Sequence, residues 1–557
     1  MLSLLAFHLA VTVICFLWGF CFYGYLSKNH TMPLISYFIT GLISITAIGQ
    51  IISLFIPLNA STNIIILLLP VIPILLNINY FKHKIQNFKQ SLTPVPWPGL
   101  LLLGSIYFLI IILNAGPIMM DDTGSYHIQM IKWVEEYGTV PGIANLHERY
   151  GFNSSWFTSI AAFNFFPHKM QSFPALNGLL SAWFCYYFID KAFKKELSSS
   201  IKTASFLTIV LALISWPLLR GNAATANYDS ITMLVVAVLF TETIEKDIQK
   251  NDITFPIEYI LWPAYLFTVR IINFPILILI FIPVVEIIKY KNWRGLITTI
   301  ILPAILIVPF LCRNVILSGY LFFPSSAFDV FTVDWKTPKE VLDRLVYFIT
   351  YYSRVNNGFL DIEATAQLGN IKWITPWFHY MFGYDKLIFL PGITGIIIYL
   401  ILLFRYIKKS NLKKLIPGAA VLTAVTTWFF TAPDPRFIYG FLTTGSFLLF
   451  SFIFKKQLWK NFIPVLSVII VSAVIVFSVI KLQSSEYRNF AFAKALPQPE
   501  VKKTVINGIE FNIPGKVEGN WNERCYGTDL PCLYLISPGL EPRGQNIKDG
   551  FRIKKQN

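Results

Sequence analysis

The chain has 557 residues, of which 55% are hydrophobic, 16% aromatic and only 14% charged. A soluble protein carries roughly 25% charged residues, so these proportions exclude a soluble enzyme, a disordered scaffold and a disulfide-framed secreted module. The net charge of +16 leaves two readings, a nucleic-acid partner or Lys and Arg retained in cytoplasmic loops, and the order of the chain separates them.

A helix crosses a bilayer in about 20 apolar residues. Apolar runs predict spans near 3–25, 35–55, 62–80, 97–115, 172–190, 202–219, 230–245, 255–270, 272–288, 296–317, 386–406, 414–431, 436–454 and 462–481. The expected fold class is therefore an all-α polytopic membrane protein with about 14 transmembrane helices. The run 152–166 is short and polar-flanked, and is expected to be re-entrant or to lie on the interface. The first 26 residues have an uncharged start and no small-x-small cleavage pattern, so they are expected to stay as a span. No repeat of solenoid period is visible.

The loops alternate in charge. One set carries Lys28, then Lys82, Lys84 and Lys89, then Lys191, Lys194 and Lys195, then Lys246 and Lys250. It continues with Lys289, Lys291 and Arg294, then Arg405, Lys408, Lys409, Lys413 and Lys414, then Lys455, Lys456 and Lys460. Every second loop belongs to this set, as the positive-inside rule requires of cytoplasmic loops. The other loops, 116–171, 220–229, 318–385, 432–435 and the tail from 482, are aromatic and mixed in charge, and are expected outside. The basic balance is thus an orientation signal, and no basic stripe with nucleic-acid spacing appears. Three regions follow: N-terminal spans over 1–96, a core over 97–481 and an extracytoplasmic tail over 482–557.

Cys15, Cys21, Cys185 and Cys312 fall in or beside apolar runs, where a thiol behaves as a small hydrophobe. Cys525 and Cys532 lie close together in CYGTDLPC and are expected to form a disulfide outside the membrane; two unpaired thiols are the alternative. Short alternating segments flank Asn507-Gly508, a type I′ hairpin signal.

The densest polar stretch outside the tail follows the span that ends near 115. Asp121 and Asp122 come first, and 125–137 then reads as a helix ending at Gly138. Tyr126, Met130, Trp133, Val134 and Tyr137 share one face, so this helix is expected along the interface, aromatic side down. Two readings of the acids stand side by side. Asp122 and Thr123 cap the helix, or one carboxylate is a general base or metal ligand at the lip of a membrane cavity. His127, Gln129, His147, Glu148 and Arg149 share the loop without zinc-site spacing. His127 and Gln129 are candidate substrate-binding residues, a surface hydrogen-bonding role being the alternative for a loop histidine. Asp229 opens a later span on the same side, as a cap or as a second acid.

Arg270 interrupts LFTVRIINF, Arg313 ends FLCRN, and Arg436 stands in APDPRF. Charges at the bilayer edge are costly and mark function, and the arginine fork suits a phosphate; snorkelling to the headgroups is the alternative. No confident span carries a central Asp or Glu, and no Walker A, Rossmann or GxSxG pattern occurs.

This arrangement of spans, acids, loop helix and later arginine resembles the GT-C superfamily of glycosyltransferases over roughly residues 97–481. More closely, DDTGSYHIQMIKWVEEYGTVPGIANLHERYGFNSSWF, RNVILSGYLFFP, APDPRF and CYGTDLPC with its following GFRI resemble a bacterial group of multi-spanning membrane proteins adjacent to GT-C enzymes. The resemblance implies transfer of a sugar from a polyprenyl-phosphate donor to a glycan, lipid or protein acceptor, outside the bacterial inner membrane. It implies Asp122 or Asp121 as catalytic base, Asp121 and Asp229 as candidate ligands of a divalent cation (Mg or Mn), and Arg270, Arg313 or Arg436 on the carrier phosphate. The chain departs from the pattern in its three spans before 97, and in Asp-Asp where better-known members have Asp-Glu or Asp-x-Asp. A lipid-linked glycan flippase or exporter and a surface-polysaccharide polymerase or ligase are the alternatives.

Overall fold

The computed structural model describes residues 1–26, 32–118, 120–164, 173–215, 223–248, 257–291, 293–355, 361–369, 371–407, 412–454, 462–489, 499–515 and 524–554. The chain starts with α1 (Leu2–Leu26) and α2 (Leu34–Ile52), then α3 (Ala60–Leu68), α4 (Val71–Leu76), α5 (Ile78–Ser91) and α6 (Trp97–Asn114). The first long loop holds α7 (Ile128–Glu136) and α8 (Ser155–Ala162). Then come α9 (Phe173–Phe193), α10 (Ser199–Ile214), α11 (Asp229–Ile248), α12 (Glu258–Val269), α13 (Phe281–Lys289) and α14 (Trp293–Ser318). The second long loop carries α15 (Lys339–Val355), α16 (Ile362–Gln367) and α17 (Ile374–Tyr380). The bundle closes with α18 (Gly383–Ile407), α19 (Leu412–Thr431), α20 (Tyr439–Ile453) and α21 (Phe462–Gln483).

Among the described residues, nine helices are long and apolar enough to cross a membrane, or up to ten if a bent pair counts as one span. The protein is a multi-pass α-helical membrane protein. Each of the expected apolar runs overlaps helix among the described residues, 172, 216–219 and 255–256 lying outside them, yet several miss the length or composition of a lone crossing. The run 62–80 is broken, with a bend of 100° between residues 76 and 78. Helix α10 has 16 residues and α12 has 12, while α11 carries Glu242, Glu245 and Lys246. For composition the physical reason is enclosure. All of α12 is buried, so it faces other helices and needs no continuous apolar surface.

Small residues let the backbones meet. A Cβ on Gly41 of α2 would strike the Cys15 carbonyl of α1, and one on Gly395 of α18 would strike the backbone of Gly445 in α20. Without a hydrophobic drive between helices in lipid, such close approach supplies the packing energy.

Two expectations about the first loop are corrected. Helix α7 does not lie on an interface, because every residue from Ile128 to Val134 is buried. It follows a π-helical turn over Thr123–His127 and ends at Gly138, whose φ of +82° suits glycine. Of the two readings of 152–166, the interfacial one also falls, for α8 is wholly buried against α2 and α7, while the re-entrant one stands; residues 165–172 lie outside the described residues.

The tail covers the other side of α7. Strands β1 (Val501–Ile506) and β2 (Ile509–Pro514) pair antiparallel around Asn507 and Gly508, both at positive φ. Strands β3 (Leu540–Pro542) and β4 (Phe551–Ile553) form a second small ladder. The expected disulfide joins Cys525 and Cys532, while Cys15, Cys21, Cys185 and Cys312 are free. Gln129 donates to the Tyr526 and Thr528 carbonyls at 2.9 Å. Lys132 donates to the Gly527 and Thr528 carbonyls at 3.0 Å. The Gln129 amide N–H groups and the Lys132 ammonium are thus satisfied by the tail's backbone instead of by water.

Candidate functional site

The π-helical turn after Met120 points Asp122 inward. Its backbone is already helical (φ −55°, ψ −32°) and its side chain makes no capping bond, so the capping role weighed for it is not the one it plays. Instead Oδ1 meets Arg149 Nη1 at 2.9 Å and Oδ2 meets Arg436 Nη1 at 3.7 Å. Arg149 comes from a single 3₁₀ turn over Glu148–Gly151, and Arg436 from another over Pro435–Ile438 at the head of α20.

Arg436 is shared. Its Nε lies 3.0 Å from Asp434 Oδ2 and 3.8 Å from Asp229 Oδ2. Asp229 opens α11, where the Asn227 side chain accepts its backbone N–H at 2.9 Å, and its Oδ1 lies 3.3 Å from Arg270 Nη1. The Arg270 guanidinium lies 3.4 Å from the Phe437 ring centroid and 5.6 Å from that of Tyr228. Three arginines and three aspartates from distant parts of the chain therefore form one chain of ion pairs. They sit at the end of the bundle that carries the long loops. The side chains of Asp122 and Arg436 stay 26% and 29% exposed, so the cluster is open to a ligand.

Aromatic rings form the walls. Tyr126 and Tyr228 are joined through their hydroxyls at 3.3 Å. The His127 ring packs on Tyr126, Phe157 and Tyr228. Phe348 of α15 lies 5.9 Å from the Arg149 guanidinium, and the charges of Arg436 and Asp122 act on Tyr352 of the same helix. Helix α15 thus roofs the cluster.

The electrostatics follow from this geometry. Burial pushes the Asp122 carboxyl up, but Arg436, His127, Arg149 and Arg270 outweigh it and hold the group below its usual range. Asp122 is ionised at neutral pH. Burial pulls His127 down to about 3, against the favourable pull of Asp122, so its imidazole is neutral. Its Nδ1 is 3.4 Å from Thr123 Oγ1, and its Nε2 has no partner among the described residues.

The remaining candidates part company. Asp121 turns away to Arg524 of the tail at 2.7 Å and is 76% exposed. Gln129, expected on substrate, is a tie to the tail. Arg313 is buried where α14 meets α2 and donates to Ser53 Oγ; none of its described contacts reaches the cluster. Asp121 pairs with Arg524 while Asp229 pairs with Arg270 and Arg436, and the described residues hold no group of three or more His, Cys, Asp or Glu suited to a metal ion. Three arginines among the carboxylates suit an anion better than a divalent cation. Arg149, Tyr228 and Asp434 were not singled out from sequence, although Asp434 stands in the same APDPRF segment as Arg436 and Arg149 shares the loop of Asp122.

The profile of a family described as a domain of unknown function, DUF8201, matches residues 1–443. The chain belongs to that family. No curated protein matches it, and no solved structure does. The DUF8201 region holds all six charged residues of the cluster, whereas Arg524 and the disulfide loop lie beyond the match.

Proposed function

We propose that the protein is a membrane glycosyltransferase that moves a sugar from a polyprenyl-phosphate donor to an acceptor at the outer face of a bacterial inner membrane. The fourteen-span, GT-C-like arrangement belongs to the same proposal. The observation that carries it is the shared Arg436, long-range to Asp122 and Asp229 and close to Asp434. Ion-paired with Asp434, the guanidinium can turn its outer nitrogens to a phosphate, with Arg270 beside it. The disulfide in the docked tail supports the assignment of that end to an oxidising compartment.

In the reaction, the acceptor hydroxyl oxygen attacks the anomeric carbon and the bond from that carbon to the phosphate oxygen breaks. The proton of the hydroxyl passes to Asp122, whose carboxylate is ionised when the hydroxyl's acidity rises in the transition state. The electron pair leaves with the polyprenyl phosphate, whose growing charge the arginines stabilise. The acceptor and the lipid-linked donor are the partners; no ATP or ion gradient is required.

The test is transfer from labelled polyprenyl-phosphate sugars by membranes carrying Asp121→Asn or Asp122→Asn. Loss in Asp122→Asn with transfer retained in Asp121→Asn is expected, because only Asp122 joins the arginine cluster. The buried neutral His127 favours one second reading, a polymerase or ligase of surface glycans that works with Arg and His. Transfer retained in Asp122→Asn and lost in both Arg436→Ala and His127→Gln would select it.

A further inference from the structure

Beyond the charged cluster, the tail forms a cleft of about 930 Å³ between the β1–β2 hairpin, the disulfide loop and the turn before β4. That volume falls within the range of small-ligand sites, roughly 300–1,000 Å³. Its floor includes Tyr137, next to the C-terminal end of α7, and its walls offer Asn512, Thr528, Asp529, Gln545 and Asn546. The ionisable groups on the lining are Lys503, Lys548, Glu510, Asp529 and Asp549. Lys503 and Glu510 neutralise one another at 2.8 Å. Asn512 Nδ2 donates to the Asp529 carbonyl at 3.0 Å, and Asn546 and Asp549 bond one another in a capping box, so it is the Gln545 amide that turns a donor and an acceptor to neighbouring hydroxyls. An aromatic ring offers an apolar face with a polar tip, which suits the C–H face of a pyranose. With no net positive charge, the cleft is not built for a phosphate.

We infer that this cleft binds a neutral, hydroxyl-rich oligosaccharide. Its Tyr137 end lies well away from the reacting bond. Asp122 and Tyr137 are separated by the length of the loop helix, on the order of 20 Å at 1.5 Å per residue, so the cleft would hold a distal part of an elongated glycan. Its wall is also the clamp on the acidic motif. Gly527 and Thr528 line the cleft, and their carbonyls hold Gln129 and Lys132. One step earlier in the chain, the Tyr526 N–H donates to the Gly124 carbonyl at 2.9 Å. A glycan in the cleft therefore touches the same eight-residue loop, closed by Cys525 and Cys532, that fixes the turn bearing Asp121 and Asp122.

The inference rests on the glycosyltransferase reading for its biological sense, but binding tests it without turnover. Full-length protein in detergent would be applied to an array of neutral, sulfated and sialylated oligosaccharides. Two variants accompany it. Asp529→Trp fills the mouth from a side chain that is 97% exposed, and Gln545→Ala removes one amide. Retention on neutral oligosaccharides is expected, weakened about tenfold or more in Asp529→Trp and less in Gln545→Ala. Asp122→Asn is expected to bind as the wild type does, so an inactive cluster and an empty cleft give different results. No retention on neutral glycans, retention on acidic glycans only, or equal retention by Asp529→Trp would overturn the assignment.

Discussion

Two ion clusters stand at opposite ends of the bundle, and they are built differently. At the end without the long loops, Lys191 of α9 meets Glu242 of α11 at 2.8 Å and pairs with Glu245, while the Tyr187 hydroxyl donates to Glu242 at 2.8 Å. Two neighbouring helices supply everything, and the Lys191 side chain is 8% exposed. At the loop end, arginines and aspartates come from five separate segments, and two of the Arg436 contacts are as long as 3.7 and 3.8 Å. The first cluster is a closed tie between α9 and α11. The second is held from several sides and left slack at its centre, as a site must be when a ligand is to replace some of its contacts.

The largest effect that would break this comparison comes from Arg436→Ala. It leaves Asp122, Asp229 and Asp434 without their shared partner, and transfer is expected to fall about 10²-fold or more, measured with labelled donor in proteoliposomes. Arg436→Lys is expected not to restore it, because a point charge cannot serve several carboxylates and a phosphate as a planar fork does. Next comes Lys191→Met, which removes the cation that Glu242 and Glu245 share. Its cost is about 3–5 kcal/mol, read as a lower thermal midpoint in detergent, with transfer per folded molecule unchanged. Were transfer instead abolished with the midpoint intact, the tie would be part of the reaction path.

Breaking the Cys525–Cys532 loop by Cys525→Ser and Cys532→Ser is expected to cost about 2–3 kcal/mol. Hydrogen exchange should localise the loosening to 524–532 and to the turn at Gly124. The remaining effect is graded with pH. Burial, the largest cause for each, holds His127 and His147 at about 3, below the ordinary 6.5. Such a histidine takes up a proton more readily when unfolded, so stability is lost as pH falls below 6.5, by at most about 1.4 kcal/mol per pH unit for each. His147→Gln is expected to flatten that slope in thermal unfolding between pH 7 and 5.

Much of the membrane architecture was legible in composition and apolar spacing, because lipid imposes one simple demand on every exposed span. What escaped was set by enclosure. Helix α12 is fully buried by its neighbours, so no lipid-facing surface marks its bounds in the sequence, and α7 carries an amphipathic pattern that reads as interfacial until the tail is seen on its polar face. The disulfide and the Asn507-Gly508 hairpin were legible from local chemistry alone. Within the site, Asp122, Asp229, Arg270 and Arg436 were readable as scarce charges at span ends. Arg149 and Asp434 were not singled out, since their meaning lies in contacts across 27 residues for the first and in sharing Arg436 for the second. Gln129 and Arg313 show the converse, polar residues in suggestive places whose partners are the tail and Ser53.

The most direct measurement is sugar transfer by Asp122→Asn in proteoliposomes, alongside its thermal midpoint. Transfer reduced about 10²-fold or more with a midpoint close to the wild type is the expected result. Wild-type transfer by this variant would contradict the assignment of the cluster as the place where the acceptor is deprotonated.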